Sequence, residues 1–130
     1  MGQLIGKTIL LYKILDKLGD SGMGVVYKAE DTKLRREVAI KSLPRQIAAS
    51  KEERARFKIE AQAAAALNHP NIATIYAIEE VDDEMFIVME YIEGKELKKI
   101  AGAQNFVPLP EVLDYATQIA EGLNILLSKC

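Results

Sequence analysis

Short segments of alternating apolar and polar residues, joined by turns, restrict the fold of this chain more than any other feature. Tyr12–Leu18 alternates in this way, and the glycine-rich turn Gly19–Gly24 joins it to a second strand, Val25–Ala29, as a hairpin. Glu37–Leu43 predicts a third strand, which Pro44 ends. Strands joined by such short connections predict an antiparallel sheet, because parallel strands need long crossovers.

After the third strand the hydrophobic period becomes that of a helix. Ser50 and Glu53 have the spacing of a capping box, and a segment rich in alanine and other strong helix formers continues through Leu67. Phe57 and Ala61 fall on one face of this helix. The pattern predicts a helix packed on one face of the sheet, which is an α+β architecture.

The rest of the sequence predicts two more strands and then helices. The strands are Ile72–Ile78 and Met85–Tyr91, and an acidic turn separates them. A short helix is expected at Lys95–Ala101 and a long one from Glu111 to about Lys129. We therefore expect a five-stranded antiparallel sheet with one packed helix, followed by one or two C-terminal helices.

Composition excludes several classes of function. Lys and Arg total 17 among 130 residues and Asp and Glu total 19, so a net charge of −2 excludes a strongly basic nucleic-acid binder. A single cysteine, Cys130, and a single histidine, His69, exclude a disulfide framework, Cys-based metal clusters and His-pair metal sites. The sequence shows neither a membrane helix nor a signal peptide. We expect a cytoplasmic protein without nucleic-acid or membrane partners.

Two polar elements of the sheet could bind an anion. The glycine turn lets backbone N–H groups approach a phosphate, but it leads into a strand, which argues against Rossmann and Walker loops. Lys41 sits in an otherwise apolar strand, Val38-Ala39-Ile40-Lys41. Either a solvated strand face or a cleft with an anion and a carboxylate partner would explain this lysine.

Two further elements could complete such a site. Glu60 borders the apolar stripe of the helix, where it would either be solvated or reach Lys41. The strand end within Phe86–Gly94 has free backbone groups that could meet the edge of a flat base. A buried strand leaving the core is the plainer explanation of that segment.

At this order and spacing, the four elements together resemble the N-terminal lobe of protein kinases, most closely of bacterial-type Ser/Thr kinases. The segments LGDSGMGVVYKAED, REVAIK, LNHPNI and FIVMEYIEG are similar to that family's sequences, and the resemblance runs from about Ile5 to the last residue. It implies a kinase-like ATP-binding lobe over residues 1–94. Residues 95–130 would be a helical extension that corresponds to the start of the C-terminal lobe.

The resemblance also implies roles for individual residues. Lys41 is similar to the lysine that contacts the α- and β-phosphates, and Glu60 to its ion-pair partner, so these two are the expected catalytic residues. Other positions match the family's glycine loop, the residues that surround adenine, and the strand end within Phe86–Gly94. The nucleotide-binding residues implied in this way are Leu18, Gly19, Ser21, Gly22, Gly24, Val26, Ala39, Lys41, Met89, Glu90, Ile92 and Glu96.

Within that set the strand end has the most specific roles. Met89 is similar to the gatekeeper, the residue at the back of the adenine pocket. The carbonyl of Glu90 and the N–H of Ile92 would meet the adenine edge, and Glu96 would reach the ribose.

The sequence also departs from the family's pattern. Ser21 stands where the family has its second loop glycine, although Gly22 beside it could relieve the crowding. The His-Arg-Asp and Asp-Phe-Gly motifs do not occur in these 130 residues. Because those motifs supply the base and the metal ligands, we do not expect this chain alone to transfer phosphate. Magnesium would bind only if a complementing lobe supplied ligands.

The last helix carries an apolar stripe that needs a cover. Its members recur at helical spacing and are Val112, Ala116, Ile119, Leu123 and Leu126, with Leu113, Ala120 and Leu127 beside them. Leaving them exposed is costly, so the helix either folds back on its own sheet or, as we favour, pairs with a second copy or a complementing chain.

Other functions remain open besides the ATP-binding lobe. The chain could be a non-enzymatic interaction or dimerisation module on a kinase-like scaffold, or a truncated or designed kinase fragment. Retention of Lys41 and Glu60 favours the ATP-binding lobe, because a scaffold would need neither residue.

Overall fold

A computed structural model describes residues 4–21, 24–43, 45–103 and 106–129 of the chain, and it confirms the α+β class. The strands are β1 (Thr8–Ile9), β2 (Tyr12–Ser21), β3 (Gly24–Asp31), β4 (Arg36–Ser42), β5 (Ile75–Val81) and β6 (Glu84–Glu90). The helices are α1 (Arg45–Ala48), α2 (Lys51–Ala65), α3 (Leu97–Ala103) and α4 (Leu109–Lys129).

The strands of these ranges form one antiparallel sheet in the order β1-β2-β3-β4-β6-β5. The sequence predicts five strands, and the sixth is β1 at the edge of the sheet. Its two residues are too few to show any hydrophobic period, so sequence patterning could not find it.

Strand β2 is longer than predicted, because it includes the first residues of the glycine turn. Gly19 pairs with Val26, and Ser21 pairs with Gly24 at the end of the hairpin. Gly24 has φ +110°, a backbone conformation that glycine adopts without a Cβ clash. The predicted phosphate-binding residue Gly22 lies outside the described residues.

The hairpin of β5 and β6 turns at Asp82 and Asp83. Both residues have positive φ, 49° and 63°, which matches the twist of a tight two-residue hairpin. Because this turn fixes the register, β5 begins three residues later than the predicted strand Ile72–Ile78. The predicted strand and the observed one share only Ile75–Ile78, the end of the first and the start of the second.

One face of the sheet forms the hydrophobic core. Tyr27 of β3, Ile40 of β4 and Val88 of β6 are cross-strand partners at its centre. The buried cluster consists of Tyr12, Ile14, Val25, Tyr27, Ala29, Val38, Ile40, Phe86 and Val88. Side chains alternate along a strand, so Val26, Ala39, Lys41 and Met89 lie on the opposite face, called the site face below.

Helix α2 begins at the predicted cap. The Ser50 hydroxyl accepts a hydrogen bond from the Glu53 N–H at 3.4 Å, which satisfies one of the unpaired donors of the first turn. The helix ends at Ala65, slightly before the predicted Leu67, and it packs against β5.

Helix α4 is close to its predicted extent and contacts the segment before β5. Gly122 is buried there, and an added Cβ would lie 3.3 Å from the carbonyl oxygen of Asn71. The Asn71 side chain donates hydrogen bonds to the Gln118 carbonyl at 3.1 Å and to Glu121 at 3.2 Å. Much of the apolar stripe of α4 stays exposed, including Val112, Leu113, Ile119, Leu123 and Leu127. In the part of the chain that the structure describes, no helix is both long and apolar enough to cross a membrane.

Candidate functional site

An open cavity of about 450 Å³ lies between the β2–β3 hairpin and the segment that follows β6. We call that segment, Tyr91–Glu96, the linking segment. The cavity is lined by Leu18, Gly19, Val26, Tyr91, Ile92, Gly94, Lys95, Glu96 and Lys99. Five residues that the sequence analysis selects therefore surround one space, namely Leu18, Gly19, Val26, Ile92 and Glu96.

The walls of this cavity suit a flat, partly apolar group. Leu18 and Val26 contribute apolar side chains from the hairpin, and Ile92 contributes its side chain from the linking segment. Ile92 is 63% exposed, and within the described ranges its backbone N–H has no hydrogen-bond partner. A backbone donor of this kind at the edge of an apolar slot can pair with an acceptor on a ligand.

Strands β4 and β6 place further predicted residues on the site face. Lys41 is paired with Val26 on one side and with Ile87 on the other. Ala39 is buried and is paired with Met89. These side chains continue the face on which Val26 lies, although they are not part of the cavity lining.

Glu90 is held at the end of β6 by two hydrogen bonds with Thr74. The Glu90 N–H donates to the Thr74 carbonyl at 2.8 Å, and the Glu90 carboxylate accepts from the Thr74 N–H at 3.1 Å. These contacts fix the point at which the linking segment leaves the sheet. They could not be predicted from the sequence, because its pattern places Thr74 inside a strand, whereas Thr74 precedes β5 in the structure.

The predicted ion pair between Lys41 and Glu60 is absent from the described residues. The Glu60 carboxylate instead lies 3.2 Å from Nε of Arg56, one turn earlier in α2, and the Glu60 side chain is 65% exposed. Lys41 has no ion-pair partner in the described ranges. The catalytic role of Glu60 therefore stays a prediction.

The orientation of α2 explains why Glu60 faces solvent. Glu80 of β5 binds two side chains of α2: Arg54 at 3.5 Å, and Lys58. Those two residues are one turn apart and so share a face of the helix. Glu60 is two positions beyond Lys58, about 200° around the helix, and so points away from β5. The sequence does not reveal this contact, because Glu80 looks like an ordinary charge on a strand.

This contact predicts a pH-dependent difference between the wild type and Glu80→Gln. The hydrogen-bonded Lys58 ammonium holds the pKa of Glu80 below its ordinary value. A lowered carboxyl pKa stabilises the fold above the ordinary carboxyl range, and this contribution is lost as the pH falls through the folded-state pKa. We expect urea unfolding to show the wild type as the more stable protein at pH 7, with the difference shrinking towards pH 3. A difference that is the same at both pH values would contradict this account.

Comparisons with known proteins agree with this geometry. A family model described as "Protein kinase domain" matches residues 12–130. Over 121 residues the chain is 46% identical to the serine/threonine-protein kinase PrkC of Bacillus subtilis. The matched stretch covers 92% of this chain and 19% of PrkC. The chain is 43% identical over 113 residues to a probable serine/threonine-protein kinase of Clostridium acetobutylicum, covering 87% of this chain and 17% of that protein.

A solved structure shows the same likeness. A crystal structure of the kinase domain of Mycobacterium tuberculosis PknI, in a double-mutant form, superposes with a TM-score of 0.83 at 31% identity. The superposition covers 96% of this chain and 51% of that one. The chain therefore spans about half of that kinase domain and less than a fifth of the two curated relatives.

Proposed function

Because the chain belongs to the protein kinase family, we propose that it is the ATP-binding lobe of a Ser/Thr protein kinase. The observation that carries this proposal is the cavity between the β2–β3 hairpin and the linking segment. Its volume is within the range of small-molecule sites, and its apolar walls, with the Ile92 N–H unpaired within the described ranges, suit a purine.

In this proposal adenine lies between the hairpin residues Leu18 and Val26 and the linking segment. The Ile92 N–H donates to the base, and the Glu90 carbonyl accepts from it. Glu96 is the candidate for the ribose; it lines the cavity and lies 3.8 Å from the Lys99 ammonium. That pairing is weak and exposed, so ribose hydroxyls can compete for the carboxylate.

The phosphates of ATP would lie beyond Val26, towards Lys41. The register of β3 and β4 supports this direction, because Lys41 is the direct cross-strand partner of Val26. The glycine-loop positions Gly19, Ser21 and Gly24 would cover them with backbone N–H groups. Because Lys41 has no ion-pair partner among the residues that the structure describes, its ammonium can bind an anion.

Phosphate transfer by a protein kinase also needs a catalytic base and metal ligands. We propose that this chain alone does not transfer phosphate, because the family's catalytic base and metal-binding motifs do not occur in its sequence. Within the described ranges no three His, Cys, Asp or Glu side chains come together as metal ligands, so we assign no magnesium ligand. Glu60 would reach Lys41 only if α2 left its contact with Glu80.

A second candidate role is association through α4, with a second copy or a complementing chain. The exposure of its apolar stripe favours it, because residues such as Ile119 and Leu123 carry a large cost in water. The two surfaces adjoin, because Ile119 of α4 lines a second cavity of about 460 Å³ together with Glu90 and Ile92.

Calorimetric titration with ATP and magnesium tests the ATP-binding role. We expect saturable binding by the wild type and about tenfold or greater weakening in Lys41→Met, because a charge-assisted contact to phosphate is lost. Adenosine should bind both proteins alike. Lys33→Met changes an exposed lysine of the β3–β4 turn and should bind ATP like the wild type. The absence of heat at millimolar ATP would contradict the proposal and make the α4 surface the place to look for function.

A further inference from the structure

Lys28 of β3 makes two contacts at once beside the cavity. Its ammonium lies 3.1 Å from Oε1 of Glu37 on β4 and 4.7 Å from the centroid of the Tyr91 ring. The Lys28 side chain is only 26% exposed. Tyr91 is the first residue of the linking segment, and it lines the cavity.

The register of the sheet explains why these three residues meet. Lys28 is paired with Ala39, and Ala39 is paired with Met89, so one row of side chains crosses β3, β4 and β6. Glu37 lies two residues before Ala39, and Tyr91 lies two residues after Met89. Because side chains alternate along a strand, Glu37 emerges on the site face beside Lys28, and the ring of Tyr91 is brought to the same place.

We propose that Lys28 is a positioning residue for nucleotide binding: held by Glu37, it fixes the Tyr91 ring and so the backbone of the next cavity-lining residue, Ile92. This inference rests on the proposed ATP-binding role, because it names the residue that holds the base-contacting segment in place. The contact joins β3, β4 and the linking segment in one cluster. Holding a binding segment in its bound conformation raises affinity by lowering the ordering cost of binding.

Two features separate this cluster from an ordinary surface ion pair. An ammonium over an aromatic face is attracted more strongly when it is partly desolvated, as Lys28 is. The same ammonium also lies 3.1 Å from Glu37 of β4, so it is held from a second strand while it contacts the ring. By contrast, Arg35 and Glu30 are 3.9 Å apart, and Arg35 is 83% exposed, so that pair has little power to position a chain segment.

Hydrogen–deuterium exchange without nucleotide is the first part of the test. Lys28→Met keeps the aliphatic stem and removes the charge, so amides of the linking segment should exchange faster than in the wild type. Amides of β6 should be unchanged. Lys13→Met removes an exposed lysine from the neighbouring strand β2 and should leave the linking segment unaffected. Unchanged exchange in Lys28→Met would overturn the proposal.

Ligand affinity is the second part, measured with adenosine, ATP and tripolyphosphate. If Lys28 positions the base-contacting segment, Lys28→Met weakens adenosine and ATP by the same factor, about threefold, and leaves tripolyphosphate unchanged. Lys28→Arg, which keeps a cation over the ring, should restore most of the affinity. Weakening of ATP and tripolyphosphate with adenosine unchanged would overturn the proposal, because Lys28 would then act on the phosphates directly.

Two further results keep the test decisive. Glu37→Gln keeps Lys28 but removes its ion-pair partner, so amides of the linking segment should again exchange faster, to a smaller extent than in Lys28→Met. This variant serves even if Lys28→Met folds poorly. Wild-type exchange in Glu37→Gln would count against the proposal. If the wild type binds neither adenosine nor ATP, the ATP-binding role itself fails and the positioning role fails with it. Faster exchange in Lys28→Met would then still show that Lys28 holds the linking segment through Tyr91, so that only the link to nucleotide binding has failed.

Discussion

Replacing Ile40 with alanine is expected to lower the free energy of unfolding by about 2–5 kcal/mol. Ile40 is 1% exposed and lies at the centre of the core between its cross-strand partners Tyr27 and Val88. The change removes buried methyl groups and leaves a cavity that neighbouring strands can close only in part. Because small domains are stable by only about 5–15 kcal/mol, much of the stability would be lost.

Urea unfolding followed by circular dichroism measures this effect, and Ile59→Ala is the matched control. Ile59 lies on α2 and is 67% exposed, so the same substitution there should change stability by less than about 0.5 kcal/mol. Equal losses in the two variants would show that the core is not where the structure places it.

Replacing Gly122 with leucine should be the second most damaging change, with a cost of about 1–3 kcal/mol. Even a single added carbon would lie 3.3 Å from the Asn71 carbonyl oxygen and 3.6 Å from the side chain of Ile72. Leucine would therefore push α4 away from the segment before β5. The hydrogen bonds from Asn71 to Gln118 and Glu121 should be lost as a consequence.

Gly102→Leu provides the matched control for this prediction. Gly102 lies in α3, and an added Cβ there meets nothing within 4 Å. Because leucine is a better helix former than glycine, that variant should be as stable as the wild type or more stable by up to about 1 kcal/mol. Thermal unfolding compares the two, and the side-chain amide resonances of Asn71 report the contact. A Gly122→Leu protein with unchanged Asn71 resonances would contradict this packing.

Local patterns in the sequence predict much of the fold. The strand-forming segments Val25–Ala29 and Glu37–Leu43 place two central strands, and the Ser50 cap begins α2 where it is predicted. These signals are strong because burial on one face and capping leave residue-level traces. Strand β1 leaves no such trace in the sequence, because it has only two residues. The shift of β5 leaves none either, because it is set by the turn geometry of Asp82 and Asp83.

The candidate site is predicted less completely. Leu18, Gly19, Val26, Ile92 and Glu96 come together around one cavity, as their family positions imply. The sequence cannot show that Glu80 binds Arg54 and Lys58 and thereby turns Glu60 away from Lys41. Long-range ion pairs of this kind depend on helix orientation, for which local periodicity carries no information. The proposed role of Lys28 could not be predicted from local patterns either, because its partner Tyr91 is far away in the chain.

The strand order has a consequence for the protein during its synthesis. Strands β2, β3 and β4 pair with their nearest neighbours in the chain, so they can assemble as soon as they leave the ribosome. The other edge of β4 must wait for β6, because Val38 pairs with Glu90, roughly 50 residues later. At a translation rate of about 5–20 residues per second, an apolar strand edge stays unpaired for several seconds. The nascent chain is therefore expected to be most prone to misassociation, and most dependent on chaperones, while α2 and β5 are being made.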